Sequence, residues 1–218
     1  MSQPASDRAL HAAKGNRPKI LKGDRTYTFT DYFRLRFAPA DILAELGLSL
    51  QRQPLNLGQY GGELAALAPL HQRITETLPH VSLTSEMARR EMLISPIIIE
   101  LIRITGADLN IEYAIEVNDY LKGDLDYYLS TNQALLILAA KQADLTRGFT
   151  QLAVELLALH RWRGSPENQI LTGAVSTGDV WQFGQYDSGS NVITQDLKLW
   201  RVPDDLDGLF RILVQLLV

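Results

Sequence analysis

The chain has 218 residues, of which 46% are hydrophobic and 21% are charged, with a net charge of −4 and no cysteine. This composition is typical of a globular domain, and the lack of cysteine excludes disulfides, thiolate metal sites and thiol catalysis. The negative net charge argues mildly against nucleic-acid binding over the whole surface, but it does not exclude a local basic groove.

The N-terminal part of the chain predicts an arm followed by a helical extension. Residues 1–25 are polar with scattered proline, glycine and basic residues, so we expect a flexible N-terminal arm. They contain no apolar core of a secretory signal, and no apolar run in the chain reaches the roughly 18 residues of a membrane span. We therefore expect a cytoplasmic protein with no membrane partner. Residues 26–80 predict a helical extension, with a loop over 51–62.

A long helix opens the predicted core. Thr84 or Ser85 caps its start, Gly106 ends it, and Pro96 bends it locally. The hydrophobic period then changes, and three consecutive strands are predicted over 108–117, 124–130 and 134–142. The short turns between these strands imply that they are antiparallel neighbours.

The remaining elements complete an α/β pattern. They are a helix over 147–162, a hairpin or one long bent strand over 170–177 and 180–187, a strand over 193–202, and an amphipathic helix over 204–218. The order predicts an α/β fold in which helices flank a mixed β-sheet. We expect a single domain over 26–218, with its core in 81–218.

Strand alternation groups the polar residues of the second and third core strands. Asp124 and Asp126 share one face of the second strand, and Leu125 and Tyr127 share the other. On the third strand, Ala139 and Lys141 share a face. If the two strands are neighbours, Asp126 and Lys141 lie on the same side of the sheet near the strand ends.

An acidic strand, an apolar strand ending in lysine, and a helix with a glutamine together resemble the PD-(D/E)xK nuclease superfamily, which includes restriction endonucleases. On this resemblance Asp126 matches the aspartate of the family, Lys141 the lysine and Gln151 the glutamine. The helix from Ser85 is similar to the opening helix of the nuclease domain in type I restriction subunits. Glu86 then matches the glutamate of the family, with Arg90 one turn later, and Glu91 is the alternative.

The resemblance implies a restriction-endonuclease-like fold, with the segment before residue 81 as an N-terminal helical extension. It also implies a metal site and a reaction. In the family two carboxylates hold magnesium, a hard ion that prefers oxygen ligands, and the lysine positions the attacking water. Here Asp126 and the backbone carbonyl of Ala140 are the implied ligands of a magnesium or manganese ion.

Ala139 stands where the family has its second carboxylate, two residues before Lys141. Three interpretations remain open from the sequence. The fold is a degenerate nuclease kept for binding, the missing acid has moved to Glu155 or Asp144, or the alanine is an engineered replacement of a natural acid. Because a catalytic metal site rarely tolerates the loss of a ligand, we expect weak or no activity unless another acid substitutes.

Two functional hypotheses follow. The first is a nucleic-acid-processing protein, with DNA as the expected partner, whose family reaction is magnesium-dependent hydrolysis of a phosphodiester. The second is a non-catalytic module on the same fold that binds nucleic acid or assembles with protein. In the second case, the apolar C-terminal segment 210–218 suggests a homodimer contact.

Overall fold

The structure is a computed structural model and describes residues 19–131, 135–140 and 144–218. The helices in this part are α1 (Phe29–Arg34), α2 (Pro39–Glu45), α3 (Leu67–Thr77), α4 (Glu86–Arg89), α5 (Ser95–Thr105), α6 (Leu145–Trp162) and α7 (Leu206–Gln215). The strands are β1 (Ser49–Arg52), β2 (Asp108–Asn118), β3 (Leu121–Ser130), β4 (Leu135–Ala140), β5 (Ile170–Ser176), β6 (Val180–Asp187), β7 (Val192–Gln195) and β8 (Trp200–Arg201).

These strands form one mixed sheet in the order β1-β7-β6-β5-β4-β3-β2, with β8 beside β6. The strands β2, β3 and β4 are antiparallel neighbours, as their short turns predicted. After β4 the chain forms α6 on one face of the sheet and then enters β5, which is parallel to β4. Two parallel neighbours need such a crossover helix, because a short turn can join only antiparallel strands. The α/β architecture with a mixed sheet is therefore confirmed.

Helices cover both faces of the sheet. One core cluster joins α3, α5 and α7 to side chains such as Leu136 and Trp181. The other cluster joins α1, α2 and α6 to side chains on the opposite face, including Ala139 and Val175. Helix α6 lies between the sheet and the pair α1 and α2, so its residues from 148 to 159 are buried all around. A helix enclosed in this way is expected to be mainly apolar on every side, and Thr150, Gln151 and Glu155 are buried polar exceptions on α6.

The C-terminal helix belongs to the core. In α7, Leu209, Phe210 and Leu213 have no exposed surface and contact the cluster that contains α3 and α5. These side chains are already buried in an apolar environment, and their removal from water stabilises the fold. The apolar character of this segment is therefore explained by the core, and it gives no separate reason to expect a homodimer.

The N-terminal segment differs from its sequence-based description. Leu21, which falls in the predicted arm, is buried, and Glu45 accepts hydrogen bonds from the backbone N–H groups of Ile20 and Leu21. The predicted loop begins with a strand instead, because β1 pairs in parallel with β7. This pairing joins residues far apart in the chain, so local patterns do not reveal it. The predicted strand over 193–202 is likewise divided into β7 and β8.

A close approach between β6 and α6 gives a stability prediction. A Cβ atom added at Gly184 would lie 2.6 Å from Cε2 of Phe149, whose buried ring has little room to move. We expect Gly184→Ala to lower the free energy of unfolding by about 1–3 kcal/mol because of overpacking. Urea denaturation measures this change. In the control, Gly61→Ala, the added Cβ meets no atom within 4 Å. Equal stability of the two variants would contradict the packing described here.

Candidate functional site

The opening helix of the core is interrupted by a π-helical turn. Ser85 caps α4, with its side-chain oxygen accepting a hydrogen bond from the N–H of Ala88. The residues between α4 and α5, Arg90 to Ile94, form the π turn. Pro96 follows at the start of α5, and its ring excludes a regular helical bond to the carbonyl of Met92. The predicted bend thus takes the form of a widened turn, a feature that is common at functional sites.

Strands β2 and β3 share an irregularity near their middle. Their register passes from the pair Ile111–Tyr127 directly to the pair Tyr113–Leu125. Between these pairs lie Glu112, which has a φ angle of +53°, and Asp126. A positive φ is costly for a residue with a Cβ atom and often marks a strained functional position. The irregularity therefore coincides with the aspartate that the sequence had singled out.

This irregularity reverses the faces of both strands. Leu125 packs in the cluster with α6, whereas Tyr127 packs in the cluster with α5 on the other side of the sheet. The sequence prediction that Leu125 and Tyr127 share one face is therefore wrong. Regular alternation requires extended backbone at every residue, and the left-handed conformation of Glu112 breaks it.

The ladder between β3 and β4 ends at the same level. Its register runs from Ser130–Leu135 to Tyr127–Leu138, and the next opposite positions are Asp126 and Ala139. Beyond Leu138, β4 continues along β5, where Ala139 is opposite Val175. We call the place where β3 and β4 separate, at Asp126 and Ala139, the fork.

Arg90 reaches the fork from the π turn. Its Nε donates a hydrogen bond to the Tyr127 hydroxyl at 3.1 Å, and its guanidinium carbon lies 5.0 Å from the centroid of that ring. Its Nη1 is 3.6 Å from Oε1 of Glu112. Burial lowers the pKa of Arg90, but Tyr127, Asp126 and Glu112 together raise it above the ordinary value. Arg90 is thus a fixed positive charge beside Asp126.

The opening helix also contacts the turn between β5 and β6. The turn between β5 and β6 contains Gly178, where an added Cβ atom would lie 3.1 Å from Cβ of Arg89 and from Leu93. The φ angle of Gly178 is +93°, so both its conformation and its surroundings favour glycine. Helix α4 and the π turn therefore extend from Tyr127 on β3 to the end of β5, across the level at which β4 ends.

Two polar side chains of α6 are buried together. Gln151 and Glu155 are 2% and 0% exposed, and Nε2 of Gln151 donates a hydrogen bond of 2.7 Å to Oε1 of Glu155. Residues four apart share one face of a helix, so both side chains point to the same side. Buried carboxylates are costly and are retained mainly where they are bound by other groups. This pair is the strongest indication of chemistry on α6.

The buried amide also has an oxygen that is not satisfied. Within the described ranges, Oε1 of Gln151 accepts no hydrogen bond. Unsatisfied polar atoms are rare in native interiors, and a bound ion is one way in which such an atom gains a partner. Oxygen donors of this type are the ligands that magnesium takes, so the donor set on α6 fits a hard cation.

The structure separates the two acids proposed as replacements for the missing carboxylate. Asp144 is the cap of α6, because its Oδ1 accepts a hydrogen bond from the N–H of Arg147 and its Oδ2 lies 3.2 Å from Nε of Arg147. Glu155 is instead fully buried on the helix that packs against the face carrying Ala139. Ala139 itself has no exposed surface. The surroundings therefore favour Glu155 over Asp144.

The other predicted residues have different outcomes. Glu86 lies in the first turn of α4 and is partly exposed, and Arg90, one turn later, is the residue of this helix that reaches the fork. Ala140 is opposite Ser176 on β5, at the level where β3 has already separated. Lys141 lies outside the described residues. Its predicted place beside Asp126 therefore stays a prediction.

Sequence reasoning did not identify Glu112 or Tyr127 as parts of this site. Glu112 sits in an alternating strand pattern and carries no signal of its left-handed backbone. Tyr127 was predicted only to share a face with Leu125; its ring is buried, and its hydroxyl accepts a hydrogen bond from Arg90. The signal available in the sequence was the pair Tyr127 and Tyr128, whose side chains pack on opposite faces of the sheet.

Comparisons with known proteins identify no relative of this chain. No family model, no curated protein and no solved structure matches the chain. Among the residues that the structure describes, no three histidine or acidic side chains converge as a metal-binding group. No helix of the same ranges has the length and apolar character needed to cross a membrane.

Proposed function

We propose that this chain is a nucleic-acid-processing protein with a restriction-endonuclease-like fold and a PD-(D/E)xK-type site at the fork. The observation that carries the proposal is the position of Asp126. It is the first residue of β3 beyond the β3–β4 ladder, next to Tyr127, whose hydroxyl accepts a hydrogen bond from Arg90 of the opening helix. The order of a helix, two neighbouring strands and a following helix with a glutamine also agrees with the family resemblance.

In this proposal Glu155 supplies the acid that Ala139 lacks. Asp126, Glu155 and the carbonyl of Ala140 hold magnesium or manganese, with Gln151 orienting Glu155 through their hydrogen bond. When bound, the ion stabilises the charge that builds on a phosphodiester and promotes its hydrolysis by water. Lys141 positions the attacking water. Arg90 and Glu86 of the opening helix orient the site.

A metal titration on Ala139→Glu tests the proposal. A glutamate at this buried position costs several kcal/mol of stability while it is not compensated. A metal that binds the new carboxylate at the fork restores stability, by about 2.7 kcal/mol at a metal concentration of 100 times the Kd. We therefore expect magnesium or manganese to raise the Tm of Ala139→Glu more than that of the parent chain, relative to EDTA.

The control is Ala174→Glu. Ala174 is also fully buried but packs on the other face of the sheet, in the cluster with α5 and α7. Its glutamate destabilises the fold on the face opposite to Ala139 and α6, where Glu155 lies, so we expect no comparable recovery with metal. DNA cleavage by the parent chain and by Lys141→Ala completes the test. If Ala139→Glu shows no gain from metal and the parent chain cleaves no nucleic acid, the nuclease proposal is wrong.

A further inference from the structure

A cavity of about 710 Å³ lies at the N-terminal edge of the described chain, between residues 19–27 and the end of α1. Lys19, Lys22, Arg25 and Arg34 line it, together with apolar and aromatic side chains that include Phe37. We call this feature the basic cavity. It concentrates four positive charges in a chain whose net charge is −4.

The cations of the basic cavity are available to a ligand. Within the described ranges, none of the four forms an ion pair with a carboxylate, unlike Arg90, Lys122 and Arg147 elsewhere. The acid that lines the cavity, Asp31, caps α1 through hydrogen bonds of 2.8 Å from the N–H and hydroxyl of Thr28. Within the described residues the cavity is therefore lined by four cations and one acid, a balance that favours an anionic ligand.

The walls of the cavity suit a nucleotide. Phe37 lines the cavity and is 53% exposed, so much of its ring is open to a ligand. Tyr27 is buried in the wall, where its ring stacks on Tyr120 at 6.0 Å and the guanidinium carbon of Arg25 lies 5.8 Å from its centroid. Proteins that bind single strands combine an exposed aromatic ring for a base with cations for the phosphates.

The helix that lines the basic cavity packs against β3, the strand that carries Asp126. Asp31 and Arg34 of α1 line the cavity, and a Cβ atom added at Gly123 of β3 would lie 3.1–3.3 Å from Phe29 at the start of the same helix. Asp126 is three residues further along β3, roughly 10 Å at the rise of a strand.

We propose that the basic cavity binds single-stranded nucleic acid, with Phe37 stacking on a base and the four cations neutralising phosphates. The proposal deepens the proposed function, on which it rests for the identity of the substrate. A duplex backbone has no unstacked base for Phe37, so the cavity favours single strands over duplexes.

Fluorescence anisotropy with a labelled oligothymidine of 20 nucleotides tests this proposal in EDTA, where no metal-dependent cleavage occurs. We expect Arg25→Gln combined with Arg34→Gln to weaken binding at least about tenfold. The slope of log affinity against log salt should fall by about 1.4, or 0.7 for each lost phosphate contact. Phe37→Ala should weaken binding about 5- to 100-fold at every salt concentration without changing this slope.

The matched control combines Arg161→Gln with Arg201→Gln. Both arginines are exposed, lie outside the cavity and form no ion pair in the described ranges, so the change in net charge is the same. We expect less than a twofold effect. Equal losses for the two pairs, or equal competition by unlabelled duplex, would overturn the proposal. If the oligonucleotide binds through the cavity but magnesium never yields cleavage, the nuclease function fails and the binding site stands.

Discussion

Asp126→Asn should reduce magnesium-dependent cleavage of nucleic acid at least about 100-fold. The substitution keeps the size of the side chain but removes the charge that a hard cation requires, and even the loss of groups that only orient a metal ligand costs 10- to 100-fold. It also removes the carboxylate that faces Arg90 in the fork. Initial rates on a labelled oligonucleotide, measured at saturating magnesium, give the effect directly.

Asp124→Asn is the internal control for this prediction. Asp124 is two residues earlier on the same strand, is exposed, and is opposite Ala114 in the regular part of the β2–β3 ladder. The two substitutions change the charge of one strand equally, so a general electrostatic effect would reduce both rates. Loss of activity in Asp124→Asn with full activity in Asp126→Asn would place the site away from the fork.

Glu155→Gln should have an effect of similar size, because the proposed site has only one other acidic side chain to hold the metal. We expect cleavage to fall at least about 100-fold. If Glu155 performs the role of the acid missing at Ala139, adding Ala139→Glu to this variant should restore at least about tenfold of the lost rate. Steady-state rates of the single and double variants measure this recovery.

Asp144→Asn separates the two candidate acids. Asparagine caps a helix about as well as aspartate, so this variant retains the start of α6 and should cleave at the parental rate. A large loss of cleavage rate in Asp144→Asn, with none in Glu155→Gln, would show that Asp144 and not Glu155 is the second metal-binding acid. Thermal unfolding of each variant confirms that the rates compare folded proteins.

The sequence was sufficient for the elements whose patterns are local. The strands β2 to β4 and helix α6 lie close to their predicted positions because their hydrophobic periods differ clearly. Gly106, with a φ angle of +67°, ends the long helix as its residue type suggested. The order of these elements was also the basis for singling out Asp126, Gln151 and Glu155.

The features missed from the sequence depend on contacts between distant residues. No local pattern indicates that Glu112 adopts a left-handed backbone opposite Asp126, or that the side-chain alternation of both strands reverses there. The basic cavity is a similar case, since the sequence places Lys19, Lys22 and Arg25 in a flexible arm. Their grouping with Arg34 depends on tertiary packing that holds residues 19–27 against α1 and α2.

The pairing of β1 with β7 constrains how the protein acquires its final shape during synthesis. Ser49 is opposite Val192, and 143 positions of the chain separate them. The ribosome must therefore complete most of the polypeptide before this edge of the sheet closes. Contacts of such long range form slowly, because the entropy of closing the intervening segment opposes them. Before β1 pairs with β7, its exposed, polar side chains, including Gln51 and Arg52, limit association of this strand with other chains.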